Sequence, residues 1–271
     1  LEPLRISLFK KFKNINYEIN FYIFVLGLFF LPSAFTIGAI FLLISLFRNT
    51  FKYNKEFVFD RWNISFLVAS FLMIISSIIH TFYNDHLYKY NINSSLSWIG
   101  LGNWLPLFWC YAGLKPFLNN PQKRKISSIA LLCGSLPILF TGIGQYFFGW
   151  YGPFEFLNGF IVWYQRPIEN YSGLTGLFNN ANYMGAWLNI IWPIGLACLI
   201  DSNKNILNNF STYIFTLGIS LSTIFTFSRS AWIGIFIGTL IIYGKRIYKY
   251  FIALIFLLIL VISSTTTSIL G

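Results

Sequence analysis

The feature that most limits how this chain can fold is the recurrence of apolar runs of about 20 residues, separated by short polar stretches in which the lysines and arginines gather. In hydrocarbon such runs satisfy their backbone hydrogen bonds only as helices, because an open sheet edge leaves amides unpaired at a cost of several kcal/mol each. The alternation of a membrane β-barrel is missing. The sequence therefore predicts an all-α, polytopic transmembrane helical bundle forming one membrane domain over residues 1–271.

Clear runs fall at 62–80, 96–114, 126–148, 177–200, 210–227, 230–243 and 251–263. A further run, 20–47, is longer than one span and shorter than two, and Pro32-Ser33 divides it near the middle. Eight to nine membrane segments are expected in all, depending on how that run is counted.

Charge parity separates one crossing from a hairpin there, since short cytoplasmic loops are enriched in Lys and Arg. If 20–47 is a hairpin or re-entrant, 16 of the 19 basic residues lie on the side of the N-terminus, and only Lys89, Arg166 and Arg229 face outward. A single crossing yields the weaker split of 12 to 7 from the same residues. The hairpin is the expectation, with a cytoplasmic N-terminus and with 81–95, the long connection 149–176 and the turn at Ser228-Arg229 outside.

Composition supports lipid as the solvent: 56% of residues are hydrophobic and 10% charged, against roughly 25% charged in soluble domains. The net charge of +11 sits in short clusters between apolar runs and forms no basic face on a folded domain, which argues for membrane lipids and against nucleic acid as a partner. Trp98, Trp104, Trp109, Trp150, Trp163 and Trp187 near the run ends read as interfacial anchors. Cys110, Cys133 and Cys198 have no zinc or redox spacing and read as small apolar residues, so neither a metal nor a cofactor is expected. His80, Asp85 and His86 flank one outward loop at an unspecific spacing and read as a helix end and solvated loop residues. The start at Leu1 and the stop just after a hydrophobic run suggest a piece cut from a longer protein.

Candidate chemistry gathers on the outward side. The connection 149–176 is long for a linker, and it carries Arg166, Gly173 and Gly176 before the Asn-rich stretch Asn179, Asn180 and Asn182 that opens the next helix. Backbone amides there could hold an anionic group; equally, the glycines could turn the chain and the asparagines cap the helix. Arg229, between Phe227 and Trp232, is costly in an apolar setting unless it pairs, lines a wet cavity or snorkels to the interface. Two outward arginines would suit the fork-shaped bonding that phosphate oxygens accept.

Three stretches in order, GIGQYFFGWYG at 142–152, GLTGLFNNANYMGAWL at 173–188 and FTFSRSAWIGIFIG at 225–238, resemble the O-antigen ligase and O-antigen polymerase superfamily of bacterial membrane proteins. The Thr-x-Ser-Arg-x-x-Trp-x-Gly signature of that superfamily is similar to Thr226, Ser228, Arg229, Trp232 and Gly234 here, and its Asn-Pro-Asn signature to Asn180-Ala181-Asn182, with Ala181 in place of proline. The wording is closest to the cyanobacterial branch described as inorganic carbon transporters. The resemblance implies an inverting, metal-independent glycosyltransferase of lipopolysaccharide or exopolysaccharide biosynthesis in the bacterial inner membrane. It would transfer a glycan from undecaprenyl pyrophosphate to a lipid or sugar acceptor on the outer (periplasmic) face. By the same resemblance Arg229 would hold the pyrophosphate, helped by Arg166, with Asn180, Asn182 and Ser228 as substrate-loop candidates. The general-base histidine of the superfamily would lie beyond Gly271. The alternative is a transporter of bicarbonate or another small anion.

Overall fold

The computed structural model describes residues 18–82, 95–168, 173–201 and 206–244. The expected run 251–263, the loop residues Asp85, His86 and Lys89, and residues 169–172 of the outward connection lie outside these. Contacts divide the chain into two compact units, Leu1–Gly134 and Ser135–Gly271.

The first unit contains α1 (Ile19–Phe30), α2 (Phe35–Lys52), the short α3 (Asn54–Phe59), α4 (Arg61–Phe82), α5 (Ser95–Gly113), a 3-10 turn (Lys115–Phe117) and α6 (Pro121–Gly134). Helices α1 and α2 make an antiparallel hairpin of the stretch 20–47. Lys52 pairs with Glu18 at its open end, Asn20 Nδ2 donates to the Ser45 carbonyl at 3.2 Å, and Gly38 packs on Leu31 at its closed end. A methyl on Gly38 would lie 2.5 Å from Leu31 Cα, and one on Gly27 would lie 2.8 Å from Leu42 Cγ, so small residues set this approach. The intermediate length of the run has a direct result: the 12 residues of α1 reach only about 18 Å, well short of a hydrocarbon core about 30 Å thick. Phe21, Phe24, Leu42 and Phe117 form the core beneath the hairpin, with Phe24 and Phe117 stacked at 4.7 Å.

Helix α4 is built inside out by the standards of a soluble protein. Its buried residues are Asn63 and Ser77, whereas Phe71 and Leu72 are 63% and 59% exposed. Water would penalise that distribution; lipid accepts the apolar side chains and leaves the polar ones to be satisfied internally. Asn63 Nδ2 does so by donating to the Phe57 carbonyl at 2.6 Å. Among the described residues three helical stretches are long and apolar enough to cross a membrane: Phe35–Lys52, Arg61–Phe82 and Pro121–Phe148. Ile19–Phe30, Tyr213–Phe225 and Arg229–Tyr243 are apolar but shorter.

The second unit contains α7 (Leu136–Phe148), a β-hairpin of β1 (Phe154–Phe156) and β2 (Ile161–Trp163), α8 (Ala181–Asp201), α9 (Ile206–Phe225) and α10 (Arg229–Tyr243). The hairpin pairs Glu155 with Val162 and turns through Leu157, Asn158 and Gly159, all at positive φ. It occupies part of the connection expected as a loop. The run 126–148 is two helices in succession, because Pro137 cannot supply the amide a continuous helix would need and the chain turns at Ser135. The expected helix 177–200 begins only at Ala181, after Gly176 at φ 54°. Met184, Leu188 and Ile191 on α8 are fully buried, as are Ile138 on α7 and Ile219 on α9.

Not every tryptophan is an exposed anchor. Trp98, Trp104 and Trp150 are exposed, but Trp109 Nε1 donates to Thr50 Oγ1 at 2.8 Å and Trp187 Nε1 to Ser135 Oγ at 3.1 Å. All three cysteines are free thiols.

Candidate functional site

The three stretches 142–152, 173–188 and 225–238 meet within the second unit, and contacts between backbone and small residues bring them together. Gln145, in the last turn of α7 and 2% exposed, makes four hydrogen bonds. Its Nε2 donates to the Arg166 carbonyl at 2.5 Å and to Thr175 Oγ1 at 3.0 Å, and its Oε1 accepts from the amides of Thr175 and Gly176 at 3.0 and 3.1 Å. That is the full capacity of a primary amide. Thr175 Oγ1 also accepts from the Arg166 amide at 3.1 Å, so one glutamine and one threonine clamp the end of the 149–176 connection. The equally buried Gln165 donates from Nε2 to the Thr141 carbonyl at 2.9 Å.

The clamped segment then lies against the turn between α9 and α10. The Leu174 amide donates to the Phe225 carbonyl at 2.9 Å, and Gly173 is so close to Thr226 that a methyl would sit 1.9 Å from its carbonyl oxygen. Only glycine fits there. The turn is compact: Thr226 Oγ1 donates to the Thr223 carbonyl at 2.7 Å, Phe227 is left-handed at φ 51°, and Ser228 is the N-cap residue of α10. Trp232 Nε1 donates back to the Thr223 carbonyl at 3.2 Å. Most of the Thr-x-Ser-Arg-x-x-Trp-x-Gly pattern thus has structural work in shaping this turn.

Arg229 has no such work. It is exposed, it opens α10, and among the described residues it has no ion-pair partner. A cation in the first turn opposes the helix dipole, at about 0.3–1 kcal/mol, unless an anion is bound beside it.

Helices α8 and α10 run parallel. Gly185 packs on Ser228 and Ala231, Asn189 on Gly234, and Trp192 on Gly238, pairs that advance together along both helices. Their N-termini therefore lie side by side and present two positive dipole ends in the same direction. Asn180 caps α8, its Oδ1 accepting from the Asn182 amide at 2.7 Å, while the Asn182 side chain is exposed one turn from the α10 terminus. Ser228 Oγ faces Ser230 Oγ at 3.0 Å and makes no cap bond to the helix.

Of the residues expected at the site, Asn180, Asn182, Ser228 and Arg229 gather at this paired helix end. The Arg166 backbone is tied to the 173–176 segment by Gln145 and Thr175, and its side chain is exposed. The helix cap accounts for the Asn180 side-chain oxygen. Gln145, Gln165 and Thr175 are additions from the structure. The signal for Gln145 was a polar side chain inside an otherwise apolar helix end, which on its own did not indicate a clamp. His80 lies in the first unit, in the last turn of α4; its Nδ1 is buried without a hydrogen-bond partner among the described residues.

Chemically the arrangement can hold and orient an anion. The second unit has no histidine, and Glu155 is the carboxylate among its described side chains. No protein-family model, no curated protein and no solved structure matches the chain. What defines it is its own architecture, mostly helical, with helices long and apolar enough to cross a membrane and with one cationic, doubly N-terminal helix end.

Proposed function

We propose that the chain belongs to a membrane-embedded glycan ligase or polymerase of the O-antigen ligase type, which transfers a polyprenyl-pyrophosphate-linked glycan to a lipid or sugar acceptor on the outer face of the inner membrane. The observation that carries this reading is the parallel pairing of α8 and α10, which sets two helix N-termini beside Arg229. A pyrophosphate is the ligand such an end suits: it has two adjacent groups of anionic oxygens, able to accept from free amides and from guanidinium forks at once. Arg166 adds a second guanidinium from the clamped connection. In this reading the chain has eight to nine membrane segments and a cytoplasmic N-terminus, which the basic-residue parity supports, and the paired helix end faces outward.

The test is Arg229→Ala in the intact protein in its own membrane. Lipid-linked glycan should accumulate and acceptor glycosylation should fall by at least about a hundredfold, the scale of losing a preorganised donor to developing charge. Unchanged levels of both would overturn the transferase reading. The same helix end could hold a smaller oxyanion, which supports bicarbonate transport as the second reading. Uptake of labelled bicarbonate into proteoliposomes above that of empty vesicles would favour it.

A further inference from the structure

The first unit contains a cavity of about 440 Å³ that the paired helix end does not use. Its wall is aromatic, with Phe47 and Phe51 from α2, Phe57 from α3, Phe66 from α4, and Phe108 and Trp109 from α5. The volume lies in the range of about 300–1,000 Å³ typical of small-molecule sites. Thr50 and Asn63 line it at the end where α2 finishes and α4 starts, and Ser70, further along α4, and Leu105 on α5 line it beyond them. It therefore runs from one helix end toward mid-span.

Three basic residues adjoin the lining positions at that end in sequence. Arg48, Lys55 and Arg61 are exposed and lie within two residues of the lining positions Phe47, Phe57 and Asn63. Lys52 and Lys115 pair with Glu18 and Asp60, which leaves Arg48, Lys55 and Arg61 beside the lining positions against one further acidic residue, Glu56. Helix α3 exposes both Lys55 and Phe59, the latter 78% exposed, a pairing of charge and apolar surface that suits a lipid interface.

We infer that this cavity takes one acyl chain of an anionic glycerophospholipid, with Lys55, Arg61 and Arg48 holding its phosphate at the cytoplasmic interface. An apolar slot that descends from a cationic rim matches a lipid in both parts: the tail fills the aromatic wall, and the headgroup meets the charge.

The test uses the intact chain in detergent, titrated with phosphatidylglycerol or phosphatidylcholine bearing the same brominated acyl chains, and reads the fluorescence quenching lost on Trp109→Phe. Saturable quenching of Trp109 should appear at about tenfold lower phosphatidylglycerol than phosphatidylcholine, a preference that Lys55→Ala with Arg61→Ala should remove. Leu67→Trp, which narrows the slot, should raise the concentration needed for both lipids. Equal quenching by the two lipids in the unsubstituted protein would overturn the anionic headgroup. Quenching that does not saturate, or that Trp109→Phe leaves unchanged, would overturn the cavity as the site; neither outcome depends on the substituted rim folding.

Discussion

Gly185 on α8 and Ser228 at the head of α10 are packed so closely that a methyl on the glycine would stand 3.2 Å from the serine Cβ, and 2.9 Å from that of Ala231. This contact sets the register of two parallel helices and, with it, the position of Arg229 relative to Asn182. Gly185→Leu should push the helices apart and destabilise the protein by about 1–3 kcal/mol. A lowered thermal midpoint in detergent, together with loss of the Arg229-dependent activity, is the expected result.

Gly173 is less forgiving still, since the obstacle is the Thr226 backbone carbonyl and not a movable side chain. Gly173→Ala should cost about as much as the much larger change at Gly185, about 1–3 kcal/mol. Melting curves of the two variants side by side check this equivalence.

Gln145→Leu keeps the size of the side chain and removes the four hydrogen bonds that Gln145 contributes to the clamp, leaving that of the Arg166 amide to Thr175 Oγ1. The amides of Thr175 and Gly176 and the Arg166 carbonyl then lose a partner in a buried setting, at about 1–3 kcal/mol for each group left unsatisfied. Hydrogen exchange at the Thr175 and Gly176 amides should accelerate by about ten- to a hundredfold, while amides in the middle of α8 keep their protection. Uniform acceleration across the unit would mean that Gln145 supports the fold as a whole and not the clamp.

The turn before Arg229 permits two opposite predictions. Phe227 is left-handed and 51% exposed, so Phe227→Gly relieves a strained backbone with little lost packing and should stabilise by about 0.5–1 kcal/mol. Ser228→Ala should cost less than the roughly 1 kcal/mol of an ordinary N-cap, because its hydroxyl bonds Ser230 and not the helix amides. Unfolding midpoints of both variants test them.

Two carboxylates give the first unit a pH dependence. Lys52 hydrogen-bonds Glu18 and Lys115 hydrogen-bonds Asp60, which also accepts the Trp62 amide, and both carboxyls are held below their usual range. Their folded values are depressed, so their contribution is complete above the ordinary carboxylate range, near about pH 4, and is lost as pH falls through the lowered values. Thermal midpoints should drop with acid over that window, and Asp60→Asn should flatten the drop.

How much of this was readable in advance depends on the range over which each feature is determined. Apolar runs specify helices locally, and Pro32 and Pro137 mark two of the breaks, because a missing amide acts on its own turn. Charge parity pointed to a hairpin in 20–47, and α1 and α2 form one. The clamp was not readable: Gln145 bonds groups 21 to 31 positions away in the chain, and nothing near it in sequence distinguishes a saturated amide from a solvated one. The glycines at 185, 234 and 238 were visible as small residues, but their opposing partners were not, since a close approach belongs to two helices at once.

The shared direction of α8 and α10 has a consequence for how such a chain can change. It comes from the order of traversal alone: α8 runs one way, α9 returns, and α10 runs the first way again. A single helix added or lost between them would turn one positive end to the opposite end of the unit and leave Arg229 facing a solitary helix. Insertions between α8 and α10 are therefore tolerable only in even numbers of helices, a counting rule more restrictive than any single side chain at the site.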